Sequence, residues 1–149
     1  MKKIKLLSLF AAAAMMFGCA APETDYTAMV DPKIGSGGHG HVFVGANAPF
    51  GMTQVDPTSI TQEWDWCSGY HDSENSVIGF SHTHLSGTGC GDLFDVTLMP
   101  VMGEVVYSRG RLGDYSTGFW SEADRTQEVV EPGYYSVPLT RYDILAEMT

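Results

Sequence analysis

Residues 64–92 read WDWCSGYHDSENSVIGFSHTHLSGTGCGD. Two of the three tryptophans, three of the five histidines and two of the three cysteines lie in this stretch. Aromatic rings offer flat apolar faces with a polar handle. Imidazoles, hydroxyls and carboxylates offer donors and acceptors. The glycines at 69, 79, 87, 89 and 91 let backbone approach a ligand or a second chain segment. The apolar segment 77–82 is short and carries no 3.6-residue period, which predicts a strand between turns.

The pattern repeats outward from there. Strands are predicted at 41–44, 52–55, 77–82, 95–100, 104–108, 134–140 and 142–147. Each is short, rich in Val, Tyr, Phe or Thr, and bounded by Gly, Pro, Asp or Ser. A helix of one or two turns is predicted within 122–131, ended by Pro132 and Gly133. The fold class is therefore all-β, a sandwich. Residues 35–40, GSGGHG, fit the G-x-G-x-x-G spacing of a dinucleotide loop. That motif requires a helix after its glycines, whereas His41-Val42-Phe43-Val44 is β-like. The nucleotide reading fails on this ground.

Residues 1–18 carry Lys2, Lys3 and Lys5 before a short apolar run. This is a secretory signal, too short to span a bilayer as a helix. Gly18-Cys19 reads as a lipoprotein cleavage site, with Cys19 lipidated and residues 19–29 as a tether. The expected location is membrane-anchored, in the periplasm or at the cell surface. The chain carries 8 basic and 18 acidic residues, and loss of residues 1–18 makes it more acidic still. That argues against nucleic acid and leaves a neutral partner such as a sugar. In an exported protein Cys67 and Cys90 either form a disulfide or stay as two free thiols.

Several constellations offer chemistry. His82 and His84 share a face if they lie on a strand. With His39, His41, His71, Cys67 and Cys90 they supply zinc-ligand types, in spacings that match no standard zinc module. Ser68 and Ser86 are nucleophile types outside any G-x-S-x-G elbow. Asp65, Asp72, Asp92 and Asp95 contain a carboxylate pair for glycoside hydrolysis, or else cap turns, which is the better reading for Asp72, Asp92 and Asp95. Trp64 and Trp66 are core rings or a sugar-stacking platform.

A longer pattern is more specific. Asp31-Pro32, Gly35-Ser36-Gly37-Gly38-His39-Gly40, Gly45-Ala46 and Pro49-Phe50-Gly51-Met52 resemble the opening of glycoside hydrolase family 92. So do Trp64-Asp65-Trp66-Cys67-Ser68-Gly69-Tyr70-His71, the run from Ile78 through Ser81-His82-Thr83-His84-Leu85-Ser86-Gly87 to Cys90, and Pro132-Gly133-Tyr134-Tyr135-Ser136-Val137. The resemblance implies exo-acting, calcium-dependent, inverting α-mannosidases that trim N-glycans or mannans. In that family an N-terminal β-sandwich packs on a C-terminal (α/α)6 barrel, which carries the catalytic acid and base and most calcium ligands. Residues 30–149 would be the sandwich, incomplete, with the barrel as its missing partner. The resemblance assigns one wall of the mannose site to Trp64, Asp65, Trp66, Cys67, His82, His84, Ser86 and Gly87. It places no catalytic residue in this chain. A stand-alone carbohydrate-binding module and an inactive fragment are the alternatives.

The anchor is directly testable. Cys19→Ala should move the protein from the membrane fraction to the soluble one. Retention on membranes as firm as the parent's would show that no lipid is attached there.

Overall fold

The computed structural model describes residues 24–149, so the expected signal, Cys19 and part of the expected tether lie outside the described residues. Among the described residues eight short strands make three antiparallel sheets. β1 (Asp56–Thr58), β3 (Gly79–Ser81) and β4 (Thr97–Leu98) form one, in the order β1-β3-β4. β2 (Ser76–Val77) pairs with β5 (Ser121–Glu122). β6 (Val129–Glu131), β7 (Tyr134–Leu139) and β8 (Ile144–Met148) form the third, with β7 central. Among the described residues the only helical pieces are single 3-10 turns at Tyr26–Met29, Trp64–Trp66 and Tyr115–Thr117. The chain is all-β.

The core lies between the faces of these sheets. Tyr135, Val137 and Leu139 alternate along β7 and are each fully buried. They meet Val77 and Phe80 from the facing sheets, with Val44, Tyr70, Ala123 and Ala146 completing the cluster. The period-2 alternation puts these side chains on one face. Pro138 sits within β7 because its carbonyl, not its absent N–H, is used on that side: Asp124 N donates to Pro138 O at 2.8 Å.

A buried charge ties the layers together. The Glu128 side chain is 1% exposed and accepts from Lys33 Nζ at 2.9 Å, Arg125 Nη1 at 2.6 Å and the Tyr135 hydroxyl at 2.7 Å. The Tyr70 hydroxyl donates at 3.2 Å, and the Arg125 guanidinium lies 4.1 Å from the Tyr70 ring centre. Burial alone would raise the Glu128 pKa. The Arg125 charge and the hydrogen bonds from Tyr135 and Lys33 outweigh it and hold the carboxyl below its ordinary value.

Several expected elements differ. Residues 41–44 form no strand: His41 has a φ of 53°, and its carbonyl accepts from the Ser68 hydroxyl at 2.6 Å and Gly87 N at 2.7 Å. Nearby, only an isolated bridge joins Ala46 to Val55. The 77–82 segment splits at Ile78, whose N–H turns to Thr58 O at 2.8 Å. There Gly79, at a φ of 148°, lies so close to β4 that a Cβ would clash with Thr97 Cγ2 at 2.6 Å. Segment 104–108 is exposed and unpaired as a strand. The helix expected within 122–131 is absent. Its amides are committed elsewhere, Ala123 N to Asn75 O at 2.7 Å and Asp124 N to Pro138 O. The Asp124 carboxylate then caps a turn through Thr126 N at 3.0 Å.

Glu128→Ala should therefore cost about 3–5 kcal/mol at neutral pH, since it leaves two cations without their buried partner. Because the Glu128 pKa is depressed in the fold, its contribution is complete above its ordinary value of 4.5 and fades as pH falls through the lower folded value. Denaturant titrations of parent and variant should converge in acid. A gap that persists unchanged at low pH would contradict the assignment.

Candidate functional site

The 3-10 turn Trp64–Trp66 is entered from extended Glu63 and closed by Cys67 N donating to Trp64 O. It presents Trp64 outward, 57% exposed, while Trp120 takes the core position at 1%. Trp64 is nonetheless fixed. Its indole N–H donates to Gly89 O at 2.8 Å. Its ring packs on His39 at 4.9 Å and edge-on to His41 at 4.4 Å. Gly89 has a φ of 66°, and a Cβ there would sit 3.2 Å from His41 Nδ1. Glycine is what lets that carbonyl reach the indole. Asp65 accepts from His39 Nδ1 at 2.5 Å, a hydrogen bond that holds its carboxyl below the usual range. His41 Nε2, 3.7 Å from the same Asp65 oxygen, is buried without a hydrogen-bond partner.

Beside the turn is a cavity of about 370 Å³, lined by Trp64, Trp66, Cys67, Asp92 and Phe94 with Gln62, Glu63 and Gly91. Its volume falls in the range of small-molecule sites. Trp66 packs on His71 at 4.6 Å, and its own indole N–H is buried and unpartnered.

Behind the cavity lies a buried histidine–aspartate pair. His84 Nδ1 is 3.2 Å from Asp92 Oδ2 and 3.1 Å from Ser68 O, and Nε2 is 3.2 Å from Ser81 O. Both side chains are fully enclosed. Burial pushes the Asp92 carboxyl up and the His84 imidazole down, and their mutual attraction opposes both shifts. Imidazolium with carboxylate satisfies all three acceptors. A neutral ring receiving the Asp92 proton is the same pair with that proton moved across. In either arrangement Asp92 Oδ1 remains an acceptor, and it has no hydrogen-bond partner. The Leu85 backbone N–H pulls the other way and draws the Asp92 pKa down.

The structure thus separates the residues expected on one wall. Trp64, Trp66 and Cys67 line the cavity, Asp65 sits under Trp64, and His84 stands behind Asp92. His82 does not share a face with His84, because β3 ends at Ser81. It bonds Val96 O through Nδ1 at 2.7 Å and lines a second cavity of about 260 Å³ with Val55, Phe80, Leu98, Ile144 and Met148. Ser86 and Gly87 lie on an exposed loop outside the first cavity. Cys67 and Cys90 are free, the first buried and the second exposed. Burial, then the Asp92 charge, raises the Cys67 thiol pKa, which disfavours the thiolate a nucleophile needs. Ser68 spends its hydroxyl on His41 O. Among the described residues no three His, Cys, Asp or Glu side chains are placed to hold a metal, so the zinc-ligand types stay apart. Phe94 is a lining residue that the sequence did not single out, and Asp92, named there among the candidate carboxylates, was read as a turn acid. Asp92 looks like an ordinary turn acid until its burial is known.

The chain is similar to known proteins of one family. The chain matches the glycosyl hydrolase family 92 N-terminal domain over residues 29–149. It is 39% identical to the family 92 α-mannosidase of Bacteroides thetaiotaomicron, solved free and with mannoimidazole, at a TM-score of 0.79 over 85% of this chain and 17% of that one. A family 92 glycosyl hydrolase, ccman5, gives 30% identity and a TM-score of 0.61 over 77% of this chain and 14% of that one. A secreted glycosidase of Arthroderma benhamiae is 31% identical over 85% of this chain and 16% of its own length. The chain spans less than a fifth of each of these relatives. By sequence pattern, sheet architecture and extent of match, the chain belongs to glycosyl hydrolase family 92 as its N-terminal β-sandwich domain.

Proposed function

We propose that this domain serves an exo-acting, inverting α-mannosidase that trims mannose from N-glycans or mannans, and that it supplies one wall of the mannose pocket. The observation that carries the proposal is the exposed yet fixed Trp64 beside a cavity with aromatic and polar lining. Exposure of a large aromatic ring gives the free fold nothing, whereas a flat ring offers the apolar face of a pyranose a stacking surface. The α-mannosidase relative bound to mannoimidazole supports the choice of sugar.

Inversion needs an acid on one side of the glycosidic bond and a base activating water on the other, separated enough to admit that water. The cavity's two acids do not make such a pair. Glu63 is exposed, and Asp92 is enclosed and tied to His84. We therefore assign both catalytic carboxylates to a second domain, the (α/α)6 barrel, that closes over this wall. What Trp64, Trp66 and Phe94 do is position the ring and exclude water. Calcium dependence is part of the proposal, but the residues described here do not fit a calcium cage. Its ligands are assigned to the barrel and no step is drawn through the ion. Export with a lipid anchor at Cys19 completes the picture, in keeping with the secreted relative.

The test uses the complete protein. It should release mannose from α-mannosides with inversion, visible by NMR of the first-formed anomer. Chelation should abolish release and calcium restore it. Trp64→Ala should slow turnover about a hundredfold through lost positioning, with an unchanged melting temperature. Residues 24–149 alone should release none. Glycan binding without release by the complete protein would make it a carbohydrate-binding module instead.

A further inference from the structure

We propose that Glu63 is a sugar-binding residue: its carboxylate accepts hydrogen bonds from two neighbouring hydroxyls of a pyranose stacked on Trp64. The inference rests on the carbohydrate reading of the first cavity and supplies its polar contact.

A pyranose that leaves water for an aromatic wall must have its hydroxyls paired again, because each one left unpaired weakens binding. The cavity lining leaves few side chains for that task. The Trp64 indole N–H is spent on Gly89 O at 2.8 Å. The Trp66 N–H is closed off from solvent, and the Asp92 side chain is fully enclosed with His84. Cys67 is buried, and a thiol is a weak donor. Phe94 and Gly91 carry no polar side-chain atom. Gln62 and Glu63 remain, and both are exposed.

Glu63 is the stronger acceptor of the two. A hydrogen bond to a carboxylate is roughly twice as strong as one between neutral groups. Its two oxygens can also meet adjacent hydroxyls together. The side chain is free for this. It makes no capping hydrogen bond to the Trp64–Trp66 turn, and no cation among the described residues pairs with it. The backbone beneath it is fixed. Glu63 is extended, with φ −88° and ψ 178°, and its carbonyl accepts from Trp66 N at 3.0 Å. The carboxylate thus swings from a set point one residue before the Trp64 ring, at the border of the cavity. An anionic ligand would be repelled there, on a chain with 18 acids against 8 bases. A divalent cation would find no second carboxylate in the lining, since Asp92 is tied to His84. The chemical class is a neutral polyol, a pyranose.

The probe is mannoimidazole, titrated calorimetrically into the complete protein. Glu63→Ala should lower affinity about 10- to 100-fold. Glu63→Gln keeps the reach and one acceptor oxygen and should fall between that variant and the parent. The melting temperature should stay at the parent's value, because the side chain holds nothing in the free fold. Glu104→Ala removes an exposed acid outside the cavity and should bind as the parent does. Monodeoxy methyl α-mannosides, used as inhibitors of mannose release, locate the contact. The parent should weaken at two neighbouring positions, and Glu63→Ala should be insensitive to those same deletions. In turnover, Glu63→Ala should raise KM with kcat little changed.

Three results overturn the proposal. One is Glu63→Ala binding within twofold of the parent. Another is a loss of affinity shared equally by Glu104→Ala, which would make it an effect of net charge. The third is a kcat about a thousandfold lower with one limb of the pH profile gone, which would make Glu63 a catalytic carboxylate. A parent that binds no pyranoside ends the carbohydrate reading and this assignment with it. A parent that binds, matched by Glu63→Ala, ends the assignment alone.

Discussion

The arrangement depends on one buried carboxylate. Glu128 draws Lys33 from the N-terminal loop, Tyr70 from the central stretch, Arg125 from the β5–β6 turn and Tyr135 from β7 onto a single pair of oxygens. Strands of two or three residues bury little area, so sheet pairing alone is a weak constraint on their relative placement. A desolvated charge has no such tolerance. Removed from water, it is acceptable only when every partner arrives together. Arg125 extends the network through Nη2 to Glu74 O at 2.7 Å, just before β2. The sheet of β6, β7 and β8 is thereby tied to the chain beside β2 and to the central stretch.

The site inherits that rigidity at one remove. Tyr70 is anchored to Glu128 through its hydroxyl, and the Trp64–Trp66 turn lies just before it in the chain. His71, next to Tyr70, bonds Gly38 O at 3.1 Å and supports the Trp66 ring. The glycine-rich loop at 35–40 thus acts as a brace against the tryptophan turn. Its glycines suit close backbone packing, and no helix follows to receive a phosphate. Behind the cavity the ring of His84 is held independently, between two phenylalanines and by three acceptors.

The features legible in the sequence were those with local causes. β7 could be read because Tyr135, Val137 and Leu139 alternate with polar or exposed neighbours, and its pairing with β8 follows from the intervening turn. The all-β class followed from the absence of any sustained helical period. What escaped prediction had distant causes. Residues 41–44 have strand composition, yet Ser68 and Gly87 claim the His41 carbonyl. The pairing of His82 with His84 assumed a strand running past Ser81. Once β3 ends, the two-residue spacing carries no information about direction, and the rings diverge to different surroundings. Trp64 and Trp66 were legible as important and ambiguous as to role, since their partners His39, His41, Gly89 and His71 meet them only in three dimensions. Asp92 could not be told from a turn acid because its meaning lies in His84, which reaches it only in three dimensions.

The graded burial of the indoles has an optical consequence. Trp120 is shielded from water and Trp64 faces solvent, so their emission maxima should be separated, the first toward the blue and the second toward the red. Trp64 also lies against two imidazoles, whose charged forms quench indole emission by accepting an electron from the excited state. A molecule settling over that ring would displace water and alter the red component while leaving the blue one as an internal standard. The domain carries its own reporter of occupancy, with the reference signal built into its core.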